Sequence, residues 1–204
     1  KKKIVRSIFF NGSVSNSALS AELKLSAPTI NSLVQELIAE GVVEELGQGD
    51  SCGGRRPLIY GLAEDAFYVA GITINVNYSV ISVFNARNAE ISGPHYIPEK
   101  MQNDFSLFGR IQTQLVKILQ ACIPCRDKVI AVGIEMPGLV NQGDSVNLSY
   151  FPEIANLNLK IGKIFGLPVF IDNDARMRTF AEHHFGLAKG RKNVLMVLID
   201  WGIG

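Results

Sequence analysis

Two short stretches of this chain carry side chains whose types and spacing suit recognition chemistry. The first is Asp172-Asn173-Asp174, directly after the apolar run Val169 to Ile171. An amide flanked by carboxylates both donates and accepts hydrogen bonds, as a polyhydroxylated ligand requires. A carboxylate beside a ligand hydroxyl also has the chemistry of a general base. The same residues are equally suited to capping a helix that starts at Ala175. On the residues alone the two readings weigh the same. The second stretch opens an amphipathic segment: Ala27, Pro28, Thr29, Asn31, Ser32 and Gln35 are small or polar and alternate with apolar Ile30, Leu33 and Val34. Carboxamides such as Asn31 and Gln35 match the donor and acceptor edge of adenine, and the methyl group of Thr29 suits that of thymine.

Elements must hold those side chains in place. Lys2 to Phe10 has helical spacing of Ile4, Val5, Ile8 and Phe9 and stops at Asn11-Gly12. Ser15 to Leu23 reads as a second helix, Lys24-Leu25 as a turn, and Ser26 to Glu40 as a third helix closed by Gly41. Ser26 is a good cap for it, and Pro28 falls in the first turn, where no N–H is missed. Its buried stripe is Ile30, Leu33, Val34, Leu37 and Ile38. Two strands follow, Val42 to Leu46 and Leu58 to Leu62, around a loop holding Gly53-Gly54-Arg55-Arg56-Pro57. Glycines such as Gly54 let a hairpin tip approach another backbone closely. Arg55 and Arg56 then suit a narrow minor groove or phosphates. Alone, that pair would be an ordinary solvated surface. Helix, turn, helix and basic hairpin in this order form the layout of a winged helix-turn-helix that reads double-stranded DNA.

From Phe67 the pattern changes. Tyr68 to Ile74, Val80 to Phe84 and Ala89 to Ile97 read as strands of a meander. Ser106 to Cys122 reads as a helix, Val129 to Ile134 as a buried strand, Leu157 to Phe165 as a helix closed by Gly166, and Val169 to Ile171 as a strand. A helix from Ala175 to His184 and a strand from Val194 to Ile199 complete an α/β alternation. Such sheets hold ligands just beyond the carboxyl ends of their strands, where Asp172-Asn173-Asp174 falls. The expected division is residues 1–64 for the winged helix and residues 67–204 for the first part of the α/β domain.

The formal net charge of +1 decides nothing about nucleic acid, because binding needs a local patch. Placement is more telling. Lys1, Lys2, Lys3 and Arg6 gather at the N-terminus and Arg55 and Arg56 at the hairpin, while Glu36, Glu40, Glu44 and Glu45 lie late in the third helix and beyond. Cys52, Cys122 and Cys125 offer no even disulfide framework, and Cys122-Ile-Pro-Cys125 is a lone C-x-x-C that reads as two thiols at a helix end. Without a signal peptide or long apolar span, a reduced cytoplasmic protein with no membrane partner is expected. The first residue is Lys1 and the last are Gly202-Ile203-Gly204, so a chain that continues further is expected.

The motifs together resemble the ROK family. They are Gly53-Gly-Arg-Arg-Pro57 after a winged helix, Gly133-Ile-Glu-Met-Pro-Gly-Leu-Val140, and Leu167-Pro-Val-Phe-Ile-Asp-Asn-Asp-Ala175 with Ala181-Glu182 and Phe185-Gly186. That family joins sugar-responsive repressors and sugar kinases on an actin-like sugar kinase fold. The resemblance implies that Asn173 and Asp174 contact sugar hydroxyls, with Pro137 and Gly138 lining the same pocket, and one residue serving as both ligand contact and cap. It implies a sugar or sugar-phosphate effector. A structural zinc site and a further sugar motif would lie beyond Gly204, with no metal ligand set in the sequence at hand. In the kinases the Asp174 position is the base for the attacking hydroxyl. Those kinases open the domain with Asp-x-Gly-Gly-Thr, whereas this chain has Thr73-Ile74-Asn75-Val76-Asn77. It lacks both glycines and places β-branched Val76 where backbone must approach phosphate. Asp200-Trp-Gly-Ile-Gly204 retains only part of a second phosphate loop. The expectation is a DNA-binding transcriptional regulator, a repressor without catalysis, acting as a homodimer or homotetramer. A sugar kinase with an appended DNA domain is the alternative. Phe10, Tyr96 and Phe108 are candidates for partly exposed aromatic contacts.

Overall fold

A computed structural model describes residues 1–50, 56–101, 104–122, 126–141, 143 and 145–199. The chain divides into two compact units, Lys1–Tyr68 with Asn85–Ala89, and Val69–Phe84 with Glu90–Gly204.

The first unit is built on three helices and a small sheet. Helix α1 (Lys2–Asn11) buries Ile4, Ser7 and Ile8 and stops at Gly12, where φ is 78°. A two-residue strand β1 (Val14–Ser15), absent from the sequence reading, precedes α2 (Asn16–Leu23). Ser15 caps α2 by accepting from the Ala18 N–H at 3.2 Å. The turn to the next helix is made by Lys24 in the left-handed conformation, φ 55°. Ser26 caps α3 (Ala27–Ala39) through the Thr29 N–H, with Pro28 in the first turn. Ile30, Val34 and Leu37 are buried and face the core formed with Ile4, Ile8 and Leu19.

Strands β2 (Val43–Gln48) and β3 (Leu58–Leu62) form the hairpin, closed toward its tip by the Gly49 N–H on the Pro57 carbonyl. The register shifts between Glu45 and Gly47, so Leu46 is the extra residue of a bulge, and Gly47 takes φ 100°. Only Val43 of β2 is buried, so the rest of the strand stands in solvent. Tyr60 pairs with Glu45 on one side and Val14 on the other and is 1% exposed. Residues Asn85–Ala89 belong to this unit: Ala86 lies in its core, and Arg87 donates to the Leu62 carbonyl at 2.7 Å and pairs with Glu44 and Glu64.

The second unit is a five-stranded sheet with helices. Its strands are β4 (Tyr68–Ile74), β5 (Ser79–Asn85), β6 (Glu90–Ile97), β7 (Val129–Met136) and β10 (Val169–Asn173), in the order β10-β7-β4-β5-β6. Alternating burial along β4 and β5 reflects the two-residue period of a pleated strand. β5 and β6 are antiparallel, whereas β7 and β10 are parallel, with Val169 opposite Val132 and Asn173 opposite Met136. The connection from β7 to β10 holds a small hairpin, β8 (Val140–Asn141) with β9 (Val146–Asn147), and α5 (Leu157–Phe165). Helix α4 (Leu107–Cys122) buries Leu107, Phe108, Ile111, Leu115 and Leu119 and packs on α5. Helix α6 (Asp174–Phe185) follows β10 directly and buries no residue.

Two sequence expectations are corrected here. Val194 to Ile199 forms no strand beyond a single bridge at Ile199, and Leu195 and Ile199 are 90% and 79% exposed. A strand is a pairing, and no described strand offers this run a ladder. Phe108 is fully buried in the stripe of α4, where its ring meets Phe105 and Phe151, so it offers no exposed aromatic surface, while Tyr96 is 69% exposed. Of the cysteines, Cys122 closes α4, and Cys52 and Cys125 lie outside the described residues. Among the described residues no helix is long and apolar enough to cross a membrane.

The Ser26 cap generates one prediction. Ser26→Ala leaves the Thr29 N–H without its acceptor and is expected to lower stability by about 1 kcal/mol, read as a shift in the urea midpoint of the first unit's transition.

Candidate functional site

The polar face of α3 is exposed at every position singled out: Ala27, Pro28, Thr29, Asn31, Ser32 and Gln35. Burial of Ile30, Val34 and Leu37 on the opposite stripe produces that presentation. The side chains are not equally free. Thr29 shares a 2.8 Å hydrogen bond with the capping Ser26 hydroxyl, which leaves its methyl group as the contact it can offer. Asn31 Oδ1 accepts from Asn16 Nδ2 at 3.2 Å. At the opposite end of α3, Glu36 and Glu40 bind Lys1 at 2.8 and 2.6 Å. Lys1 holds the Glu36 carboxyl below its ordinary range, and Glu36 and then Glu40 raise the Lys1 ammonium. Negative charge is thus partly neutralised away from the N-terminal turns.

Arg56 is exposed at the base of the hairpin tip, whereas Gly54 and Arg55 lie outside the described residues. A concavity of about 420 Å³ runs between Arg56, Gln48 and Tyr60 of the hairpin and Asn16, Ser17 and Asn31 of the helices. Burial pushes the Tyr60 hydroxyl up, the Glu45 carboxylate adds to this, and the Asn16 side chain opposes both. The roles of Asn16 and Tyr60 escaped the sequence reading because they depend on β1, which aligns Val14 with Tyr60 and so fixes the start of α2.

The second candidate site lies where β10 ends and α6 begins. Asn173 is the cap of α6, accepting from the Arg176 N–H at 3.2 Å. Its Nδ2 donates to the Gly138 carbonyl and to Asp174 Oδ1, both at 2.9 Å. Asp174 Oδ1 also accepts from the Ala175 N–H at 2.8 Å. Three of the four predicted residues, Asn173, Asp174 and Gly138, are therefore directly linked. Pro137 joins through its carbonyl, which accepts from Asn147 Nδ2 at 3.0 Å. Asn147 is fully buried and its Oδ1 accepts from the Ser149 and Tyr150 N–H groups. The Ser149 hydroxyl in turn accepts from the Leu139 N–H at 3.0 Å. Asn147 and Ser149 each brace the loop from ten positions downstream of their partners, and no spacing in the sequence marks them. Arg176 adds a bond to the Val140 carbonyl at 2.9 Å and an ion pair with Asp172.

Nearby in the same unit, Glu135 Oε1 accepts from Thr73 Oγ1 at 2.9 Å and from Arg178 at 3.3 to 3.4 Å. The Asn75 N–H closes a tight turn on the Tyr78 carbonyl at 2.8 Å. Among the described residues no cluster of His, Cys, Asp and Glu is arranged to hold a metal ion.

Helix, turn, helix and hairpin followed in the chain by an α/β unit with a braced polar loop define a two-part class of protein, a winged helix-turn-helix head and an α/β body. A profile of winged helix-turn-helix DNA-binding domains matches residues 1–44, and a ROK family profile matches residues 71–204. The chain belongs to the ROK family. It is similar to the xylose repressor of Bacillus spizizenii, 29% identical over 209 residues, covering 100% of this chain and 53% of that protein. It is also similar to the DNA-binding transcriptional dual regulator NagC of Escherichia coli, 24% identical over 198 residues, covering 95% of this chain and 48% of the relative. The crystal structure of a ROK family transcriptional regulator, a homologue of the E. coli MLC protein, superposes with a TM-score of 0.63 at 23% identity, over 84% of this chain and 44% of that one. That likeness supports the fold. The chain spans about half the length of the relatives it matches.

Gly138 is a point of sensitivity. Its φ is 98°, and an added Cβ would lie 2.7 Å from Ser149 Cβ. Gly138→Ala is expected to cost about 1–3 kcal/mol, visible as a lower urea midpoint for the second unit. An unchanged midpoint would show that the loop has another conformation available.

Proposed function

We propose that this chain is the DNA-binding head and the first part of the ligand-binding body of a sugar-responsive transcriptional regulator, a repressor. The observation that carries the reading is the exposed small-and-polar face of α3 beside the Arg56 hairpin, at the head of a ROK chain. The similarity to a protein named the xylose repressor supports the effector class, a sugar or sugar phosphate. Ala27, Pro28, Thr29, Asn31, Ser32 and Gln35 would meet base edges, and Gly54, Arg55 and Arg56 the phosphates or minor groove. A duplex with two half-sites about 34–36 Å apart calls for two copies of such a head, hence a homodimer or homotetramer.

Asp174 is the residue we assign to a sugar hydroxyl. Its Oδ1 is occupied by the Ala175 and Asn173 donors, and its Oδ2 has no hydrogen bond among the described residues. Asn173 is mainly a positioning residue: one lone pair of its Oδ1 is all that its three bonds leave over. Pro137 and Gly138 supply the loop wall. For the sugar to control DNA affinity it must bind the DNA-competent and DNA-incompetent arrangements unequally.

Phosphoryl transfer is the poorer reading. Where the kinases place an acid, Thr73 donates to Glu135, and Arg178 neutralises that carboxylate. The Asn75 N–H, which a phosphate cradle would need, is spent on Tyr78. Both features support a body that binds sugar without turning over ATP.

Anisotropy titrations of duplex DNA against salt, with and without a panel of sugars, test the proposal. Arg56→Ala is expected to flatten the slope of log K against log salt by about 0.9, the loss of one phosphate contact; an unaltered slope removes Arg56 from the interface. Asp174→Ala is expected to keep sugar-free DNA affinity and lose the sugar response. ATP consumption with a hexose, abolished in the same variant and without duplex binding, would establish the kinase instead.

A further inference from the structure

Reading adenine through a carboxamide needs Oδ1 to accept from the base amino group while Nδ2 donates to N7. An exposed asparagine gives no such guarantee, because its terminal torsion is broad and roughly two-fold, so oxygen and nitrogen exchange places readily. Asn31 is exposed on the groove-facing side of α3, yet its Oδ1 is held by Asn16 Nδ2 at 3.2 Å.

Asn16 is itself fixed. It is the first residue of α2, directly after the capping Ser15, and β1 is anchored by Val14 opposite Tyr60 and Ser15 opposite Ile59. Its Oδ1 is buried and without a hydrogen-bond partner. That leaves the Asn31 contact as the orienting one, since turning the Asn16 amide alone would place one oxygen against another. The Tyr60 hydroxyl, 1% exposed, senses the same amide.

We infer that Asn16 is a positioning residue that sets the Asn31 amide in one of its two orientations, presenting Nδ2 and one Oδ1 lone pair to the base. The carbonyl has two lone pairs, so the internal bond leaves a bidentate contact possible. This inference rests on the proposal that α3 reads base edges. It adds a determinant of sequence preference that does not touch DNA.

The test is selection of bound duplexes from a library of randomised base pairs by the complete protein and three variants, scored position by position. Asn31→Ala identifies the position that Asn31 reads by flattening it. Asn16→Ala is expected to lower the preference at that same position about tenfold, the scale of one lost base contact, while other positions keep theirs. Asn16→Asp supplies only acceptors, so it draws Asn31 Nδ2 inward and is expected to change which base is preferred. If Asn31→Ala flattens a position and both Asn16 variants retain the wild-type preference there, the positioning role is overturned and base reading by α3 survives. A uniform loss at all positions in the Asn16 variants would make Asn16 merely structural and also overturn it. If Asn31→Ala alters no position, the reading of α3 itself fails.

Discussion

A primary amide has two donors and two acceptor sites, and in Asn173 three bonds consume nearly all of them. One end satisfies the first turn of α6, and the other ties that turn to the Gly138 carbonyl and to Asp174. The strand end, the helix start and the loop after β7 thereby become one piece. Without that amide, Asp174 Oδ1 would keep only the Ala175 N–H, and the Arg176 N–H of α6 would lose its acceptor. The Asp174 carboxylate that we propose for the sugar therefore depends on a bond network that faces inward. Asn173 caps α6 and positions its neighbour, and Asp174 Oδ2 has no hydrogen bond among the described residues.

The first unit uses amide chemistry differently. Helix α3 is held from behind by Ile30, Val34 and Leu37, a non-directional grip that sets which face is outward. Directional control comes from polar contacts on the exposed side, among them Ser26 with Thr29 and Asn16 with Asn31. Burial thus chooses the face, and hydrogen bonds choose the orientation of individual groups upon it.

Much of this was legible in the residues. The caps Ser15 and Ser26, Pro28 in the first turn and the stripe of α3 are local signals, and the structure forms those helices within a residue or so. The apolar runs likewise located β7 and β10 but stopped at Ile134 and Ile171, two residues short of Met136 and Asn173. What escaped was non-local. Strand β1 is two residues long and exists only through Tyr60 and Ile59, more than forty positions away. Asn147 and Ser149 act through a turn that no spacing announces. Phe108 looked like a surface aromatic until the stripe of α4 was seen to bury it. The apolar run Val194 to Ile199 has strand composition without a ladder to join, because composition describes a tendency and pairing decides the outcome.

The bulge at Leu46 separates the hairpin into two mechanical parts. Below it, Glu45 and Val14 hold Tyr60 in a register that a one-residue slip would turn inside out. Above it, Ser15 still pairs with Ile59, and beyond that pair Gln48 and Leu58 stand exposed. Lengthening or shortening that outer arm would therefore change how far Arg56 extends without altering the Tyr60 register that fixes the start of α2. Under the proposed DNA-reading role, reach along the sugar-phosphate rail and discrimination in the groove are separable traits.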